Sequence, residues 1–255
     1  MKPRVSLSTV ATALDGQLIH IKQLEDAPVE RNSPATKEAR RIHAQWLMAH
    51  GIHENLVYVD ECGFNLLTRR TRGRAARGQR AVRQVAGSRG KHLNLIMAIA
   101  PNVGLLYHEI CVGSVNGERF QIFLDNLSTV IGEEFRAVVL MDNAPIHRNP
   151  GFNVEQHEIR KLPPYSPMLN SIENAFSCVK AHVKRAMNER MQEILDRNLA
   201  AAQHLPLTTY RVNILQQIVR TVLESGVIDE DKCQNWHRRT LTFVPACLNG
   251  DDILM

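Results

Sequence analysis

Paired cysteines, long apolar runs and a secretory leader are all missing from this chain. Its five cysteines, Cys62, Cys111, Cys178, Cys233 and Cys247, are odd in number, widely spaced and without any CxxC pair. That spacing excludes a disulfide framework and a cysteine-ligated zinc site, and the thiols read as reduced and structural. No apolar run approaches the roughly 20 residues that span a bilayer, and the N-terminus lacks the apolar stretch of a secretory signal. The expectation is an intracellular protein with no membrane partner. With 44% hydrophobic residues in 255, the chain can bury a full core in one main domain and carry an appendage besides.

Acidic residues are absent between Arg69 and His92, where nine cations stand: Arg69, Arg70, Arg72, Arg74, Arg77, Arg80, Arg83, Arg89 and Lys91. The net charge of the whole chain is +5, so everything outside this segment is net acidic. A charge run by itself is a solvated surface. Gly73, Gly78, Gly87 and Gly90 make this one a flexible basic arm able to follow a phosphate backbone, and DNA or RNA is the partner it suggests.

In chain order, Pro3 to Leu14 reads as a short helix with Ser6 or Ser8 as its cap and Val10, Ala13 and Leu14 inward. Residues 25–54 form a polar, proline-bearing linker and then a helix capped by Ser33, with Pro34 at its first position and Ile42, Trp46 and Leu47 on its apolar side. His50 and His53 lack a third ligand nearby and do not make a metal site. Asn55 to Asp60 reads as a buried strand ending on a carboxylate. Leu93 to Ala100 and Leu105 to Val112 flank a Pro-Asn-Val-Gly turn and read as a hairpin. Gly117 to Gly132 has helical spacing, with Phe120, Phe123, Leu124, Leu127 and Ile131 on one face. Ala137 to Asp142 is a second apolar run ending on an acid. Beyond Arg185, Ile214, Ile218, Val219 and Val222 fall at core spacing, and Trp236 and Phe243 lie in a less regular tail. This C-terminal part is expected to pack on the sheet and to have a structural role alone.

Between these parts lies LPPYSPMLNSIENAFSCVK, Leu162 to Lys180. Pro163, Pro164 and Pro167 predict an extended approach, and Asn170 predicts the N-cap of a helix whose Ile172, Ala175, Phe176, Val179 and Val183 face inward. Glu173, three residues after Asn170, completes a capping-box pattern that needs no function. Its company points further. A strand, a crossover helix and a further strand place two buried strands parallel, and direct neighbours lie about 4.8 Å apart. Asp60 and Asp142 then leave the sheet at the same carboxyl edge. Carboxylates that close repel unless they share a proton or bind a cation, and with Glu173 they make an oxygen site suited to Mg²⁺ or Mn²⁺.

The ordered set YVDECGF, MDNAPIH and LPPYSPMLNSIENAFSCVK resembles the catalytic core of the mariner-like DDE transposases and their bacterial insertion-sequence relatives, over roughly Arg31 to Arg185. The resemblance implies an RNase H-like α/β fold, a mixed five-stranded sheet with helices on both faces, with the catalytic domain at 55–190 and a helical extension at 191–255. It implies DNA strand cleavage and strand transfer by a two-metal mechanism, with Asp60, Asp142 and Glu173 as catalytic residues and metal ligands. Asp60 rather than the adjacent Glu61 matches the family's first acid. Asn143, His147 and Asn170 would support those ligands, although Asn143 and His147 read equally well as caps of a turn. Transposon-end and target DNA would be bound partly by the basic arm, by a homodimer, with no small-molecule cofactor.

Several positions depart from the family pattern. Met168 stands where many members carry Asp or Phe, Phe176 where many carry Trp, and Ser171 replaces a usual proline, which predicts a softer approach loop. Residues 1–24 resemble only the last helix and tail of a helix-turn-helix pair, so the expectation is a truncated copy with weak end recognition. A catalytically silent DNA-binding or scaffold descendant and an RNase H-like nuclease are the alternative readings. The favoured location is the nucleus of a eukaryotic host, with the cytoplasm or nucleoid the expectation in a bacterial one.

Overall fold

The computed structural model describes residues 6–15, 28–51, 55–65, 76–80, 92–144, 147, 151 and 157–253. Among these residues no helix is long and apolar enough to cross a membrane. The central sheet has five strands in the order β3-β2-β1-β4-β5: β1 (Asn55–Phe64), β2 (Leu93–Ala100), β3 (Gly104–Val112), β4 (Ala137–Met141) and β5 (Glu158–Lys161). The first three pair antiparallel, and β4 joins β1 and β5 in parallel. The crossover helix expected between parallel strands is α3 (Gly117–Ile131), capped by Asn116, whose side chain accepts from the Arg119 amide.

Alternation along β1 divides the core. Leu56, Tyr58, Cys62 and Phe64 face one cluster, while Val57 and Val59 face the other, where Phe120, Phe123, Leu124 and Leu127 of α3 cover the sheet. On the first face lies α4 (Ile172–Glu189), burying Ile172, Ala175, Phe176, Val179 and Val183. The C-terminal helices α5 (Met191–Leu195), α6 (Arg197–Ala202), α7 (Leu207–Glu224), α8 (Glu230–Leu241) and α9 (Val244–Asn249) lie on the same side. Ile214, Leu215, Ile218, Val219 and Val222 belong to the same apolar cluster as Leu95 and Met97 of the sheet. The less regular tail expected around Trp236 and Phe243 is instead two helices, α8 and α9, with Phe243 on the turn between them. The five cysteines are free thiols.

The N-terminal helices α1 (Leu7–Asp15) and α2 (Pro34–His50) begin as their caps predict: Ser6 Oγ accepts from the Thr9 amide and Ser33 Oγ from the Thr36 amide. Their faces differ from expectation. Val10 and Ala13 are exposed, and so is Ile42, whereas α2 buries Thr36, Arg40, His43, Ala44 and Leu47. Burial depresses the His43 imidazole to about 4. An apolar-spacing template misses polar residues that turn inward because partners await them, and Arg40 is the clearest case.

Only 1% exposed, Arg40 donates from Nε to Ser166 Oγ (2.9 Å), from one terminal nitrogen to Asn32 Oδ1 (3.1 Å) and from the other to the Tyr165 carbonyl (2.8 Å). The same Asn32 oxygen accepts from the Ile253 amide. One guanidinium therefore ties α2 to the Pro163–Pro167 approach and shares an acceptor with the chain's last described residue. That approach is not extended as its prolines predict. Tyr165 adopts φ +50°, a left-handed conformation uncommon outside glycine, and a 3₁₀ turn follows over Pro167–Leu169. Two directed bonds from Arg40, to Ser166 Oγ and the Tyr165 carbonyl, hold what the local sequence disfavours. Arg40→Met leaves those buried acceptors unsatisfied and is expected to lower unfolding free energy by about 3 kcal/mol, measured by urea denaturation, with Ile42→Ala within about 0.5 kcal/mol of wild type.

Candidate active site

The register of the parallel pair places the two aspartates. Leu56 lies opposite Val138 and Tyr58 opposite Leu140, so two residues further along each strand come Asp60 and Asp142, side by side and on the face that α4 covers. Asp142 is the first residue after β4, as expected. Asp60 is not a strand end, because β1 continues to Phe64 on its antiparallel pairing with β2, where Asp60 lies opposite Met97. The carboxylate edge therefore arises where β4 stops and β1 carries on alone.

Asp142 is held firmly. Its Oδ1 accepts from the Ala144 amide (2.9 Å) and from His147 Nδ1 (2.7 Å), and its side chain remains 47% exposed. Both bonds fall on one oxygen, which leaves Oδ2 for the cleft. The His147 bond is the main cause that holds the Asp142 carboxyl below its ordinary value. His147 is itself 1% exposed, its ring centroid 4.1 Å from that of Phe120, and its carbonyl accepts from Lys161 Nζ at 2.8 Å. Asn143 donates to the Leu162 carbonyl (2.8 Å), tying the loop after β4 to the end of β5.

Asp60 has the opposite electrostatics. Its Oδ1 accepts from the Glu61 amide (2.7 Å) and its Oδ2 from Asn170 Nδ2 (3.1 Å). Burial pushes its carboxyl up to about 7, and the charges of Asp142 and Glu173 push the same way. Asn170 is not the helix cap its sequence position suggests. Its amide nitrogen donates to Asp60, its Oδ1 takes no helix amide, and Ser171 occupies the N-cap position without a capping bond. The capping-box account of Glu173 therefore lacks its first partner. Ser171 does not loosen the approach either: buried at 1% exposure, its hydroxyl bonds Thr240 Oγ1 of α8 at 3.0 Å.

Asp60, Asp142 and Glu173 line one cleft of about 370 Å³, closed by Asn143, Asn170 and the Pro163–Pro167 turn. As the side chains stand, no three His, Cys, Asp or Glu among the described residues close around a single ion. Of the basic arm, Arg77 and Arg80 are exposed on a turn at 76–80, while Arg69, Arg70, Arg72, Arg74, Arg83, Arg89 and Lys91 lie outside the described residues. Sequence reasoning missed the roles of Arg40 and Lys161; Lys161, two residues before the PPYS turn, was an available signal, whereas Arg40 lies more than a hundred residues upstream and offered none.

Residues 55–195, more than half of the chain, match the family described as DDE superfamily endonuclease. No curated protein matches. Among solved structures, the chain is similar to the Mos1 mariner paired-end complex with Mn (18% identity, 98% of this chain and 72% of that chain, TM-score 0.67). It is similar also to the Mos1 strand transfer complex (18%, 98% and 72%, TM-score 0.64) and to the catalytic domain of Mos1 mariner transposase (16%, 91% and 100%, TM-score 0.53). The shared fold is RNase H-like, and the matched segment begins with β1, ends with α5 and contains all three acids of the cleft: the chain belongs to the DDE superfamily of endonucleases.

Proposed function

We propose that this chain is the catalytic part of a mariner-like DNA transposase, cutting a DNA strand with water and then joining a 3′-hydroxyl end to a phosphate of a target strand, whose own 3′ oxygen leaves. The observation that carries the reading is the convergence of Asp60, Asp142 and Glu173 on one open cleft in a chain of this endonuclease family. The Mos1 paired-end complexes support a homodimer acting on two DNA ends as the working form.

The residues fit a hard divalent cation. The donor set is all oxygen, as Mg²⁺ and Mn²⁺ require, and Asp60 holds its proton to about 7 chiefly through burial and then through the two neighbouring carboxylates. Buried beside it, Asn170 Oδ1 has no hydrogen-bond partner. Asp60 and Asp142 would hold the metal from the sheet edge and Glu173 from the helix. Bound there, a pair of such ions supplies the positive charge that activates the attacking oxygen and stabilises the leaving one. The protein's part is positioning. His147 and the Ala144 amide fix the Asp142 carboxylate, Asn170 orients that of Asp60, and Arg40 holds the turn from which Asn170 and Glu173 follow.

Two outcomes follow. A carboxyl raised in the folded state favours folding at low pH and loses that contribution as pH rises from the ordinary value near 4 to about 7. At pH 8 without metal, Asp60→Asn therefore raises Tm by roughly 2–4 °C, the response of a domain this size to 1 kcal/mol. Mn²⁺ raises the wild-type Tm by mass action and moves that of Asp60→Asn much less; differential scanning calorimetry reads both. On a pre-nicked duplex with Mn²⁺, Asp142→Asn and Glu173→Gln each cut strand cleavage and joining by about 10²–10³-fold, the scale of losing one electrostatic stabiliser. Wild-type protein that forms no product overturns the catalytic reading.

A further inference from the structure

A second cleft adjoins the first, and the two share Pro167 and Glu173. About 310 Å³ in volume, it is completed by Met168, Asn174, Arg239 and Phe243. One wall is thus the start of α4, and the other is the last turn of α8 with the residue before α9. Their relation is fixed. Thr240, next to Arg239, makes the buried bond to Ser171, and His237 Nδ1 of the same helix bonds the Tyr58 hydroxyl of β1 at 2.9 Å. At the start of α8 the Leu105 amide donates to the Ile228 carbonyl. Gly104, at φ +92°, lets the hairpin approach so closely that a Cβ there would meet Asp229 backbone at 2.9 Å. The C-terminal helix is locked to the sheet and to the N-terminus of α4 at three places.

What this rigid wall presents is a free cation. Arg239 is exposed, and its side chain makes no hydrogen bond or ion pair within the described residues, although Glu173 lies in the same cleft. Arg238, one residue earlier, is engaged by Asn235 and Gln234 on its own helix. Phe243 is half-buried, so one part of its ring anchors in the core and the rest faces the cleft. An unpaired guanidinium matches a phosphate, and an aromatic ring beside it matches a nucleobase, a combination that holds single strands with little sequence preference. Continuity with the carboxylate cleft orders the two: a strand whose scissile phosphate lies at Asp60 and Asp142 runs past Glu173 to reach Arg239.

We propose that the Arg239–Phe243 cleft binds the nucleotides flanking the scissile phosphate, so that the C-terminal helices form part of the DNA site as well as of the core. This rests on DNA being the substrate at the carboxylate cleft. The test is fluorescence anisotropy of a labelled nicked duplex in Ca²⁺, with Arg239→Ala, Phe243→Leu and, as a charge-matched control, Arg238→Ala. Phe243→Leu keeps the buried contact while removing the ring, and calorimetry checks that all three remain folded. Arg239→Ala is expected to weaken binding several-fold for every sequence and to reduce the salt slope by about 1. Phe243→Leu weakens binding at least about fivefold, and Arg238→Ala leaves it unchanged. Binding unaltered in Arg239→Ala and Phe243→Leu, or lowered equally in Arg238→Ala, overturns the proposal. If wild-type protein binds DNA through Arg239 and Phe243 yet forms no cleavage product with Mn²⁺, the catalytic reading falls and this cleft stands. If it cleaves normally with both residues replaced, the cleft falls alone.

Discussion

Two carboxylates set side by side by a parallel register are the constraint on which the rest of this structure depends. Pairing Tyr58 with Leu140 brings Asp60 next to Asp142, where the two carboxylates repel when both are ionised. The protein divides the burden unequally. Asp142 receives the His147 ring and a backbone amide and stays ionised below the usual range, while Asp60, more buried, retains its proton to about 7. A pair pushed apart in this way stores electrostatic energy that a divalent cation relieves.

Keeping that pair in register with Glu173 falls to polar bonds rather than to the apolar core alone. Arg40, from a helix more than a hundred residues upstream, grips the Tyr165 turn, and Ser171 anchors the beginning of α4 to α8. The C-terminal helices complete the apolar cluster on one face of the sheet, so the fold that carries the acids includes residues well beyond the last of them. Rigidity on both sides of Glu173 is what allows a helix-borne carboxylate to be aimed at a sheet edge.

The elements were legible wherever a single period governed the sequence. Two apolar segments flanking the Pro-Asn-Val-Gly turn gave the hairpin, and Phe120, Phe123, Leu124 and Leu127 gave α3. The three acids converge because strand adjacency follows from the crossover helix between them. What stayed hidden were places where tertiary bonds outweigh local preference. Asn170 looks like a cap until Asp60 claims its amide, the prolines look extended until Arg40 folds them into a turn, and Ile42 looks buried until Arg40 and His43 take the inner face. The regularity of α8 within the expected helical extension escaped notice because α8 is strongly polar, with its Cys233 and Thr240 buried among few apolar residues.

The most direct measurement is anomalous diffraction from crystals soaked in Mn²⁺. The account predicts a manganese peak in the cleft with carboxylate oxygens of Asp60 and Asp142 as ligands and Glu173 facing it, and loss of that peak in Asp142→Asn. Manganese bound elsewhere on the molecule, with the cleft carboxylates still hydrogen-bonded only to Glu61, Asn170, Ala144 and His147, would contradict it.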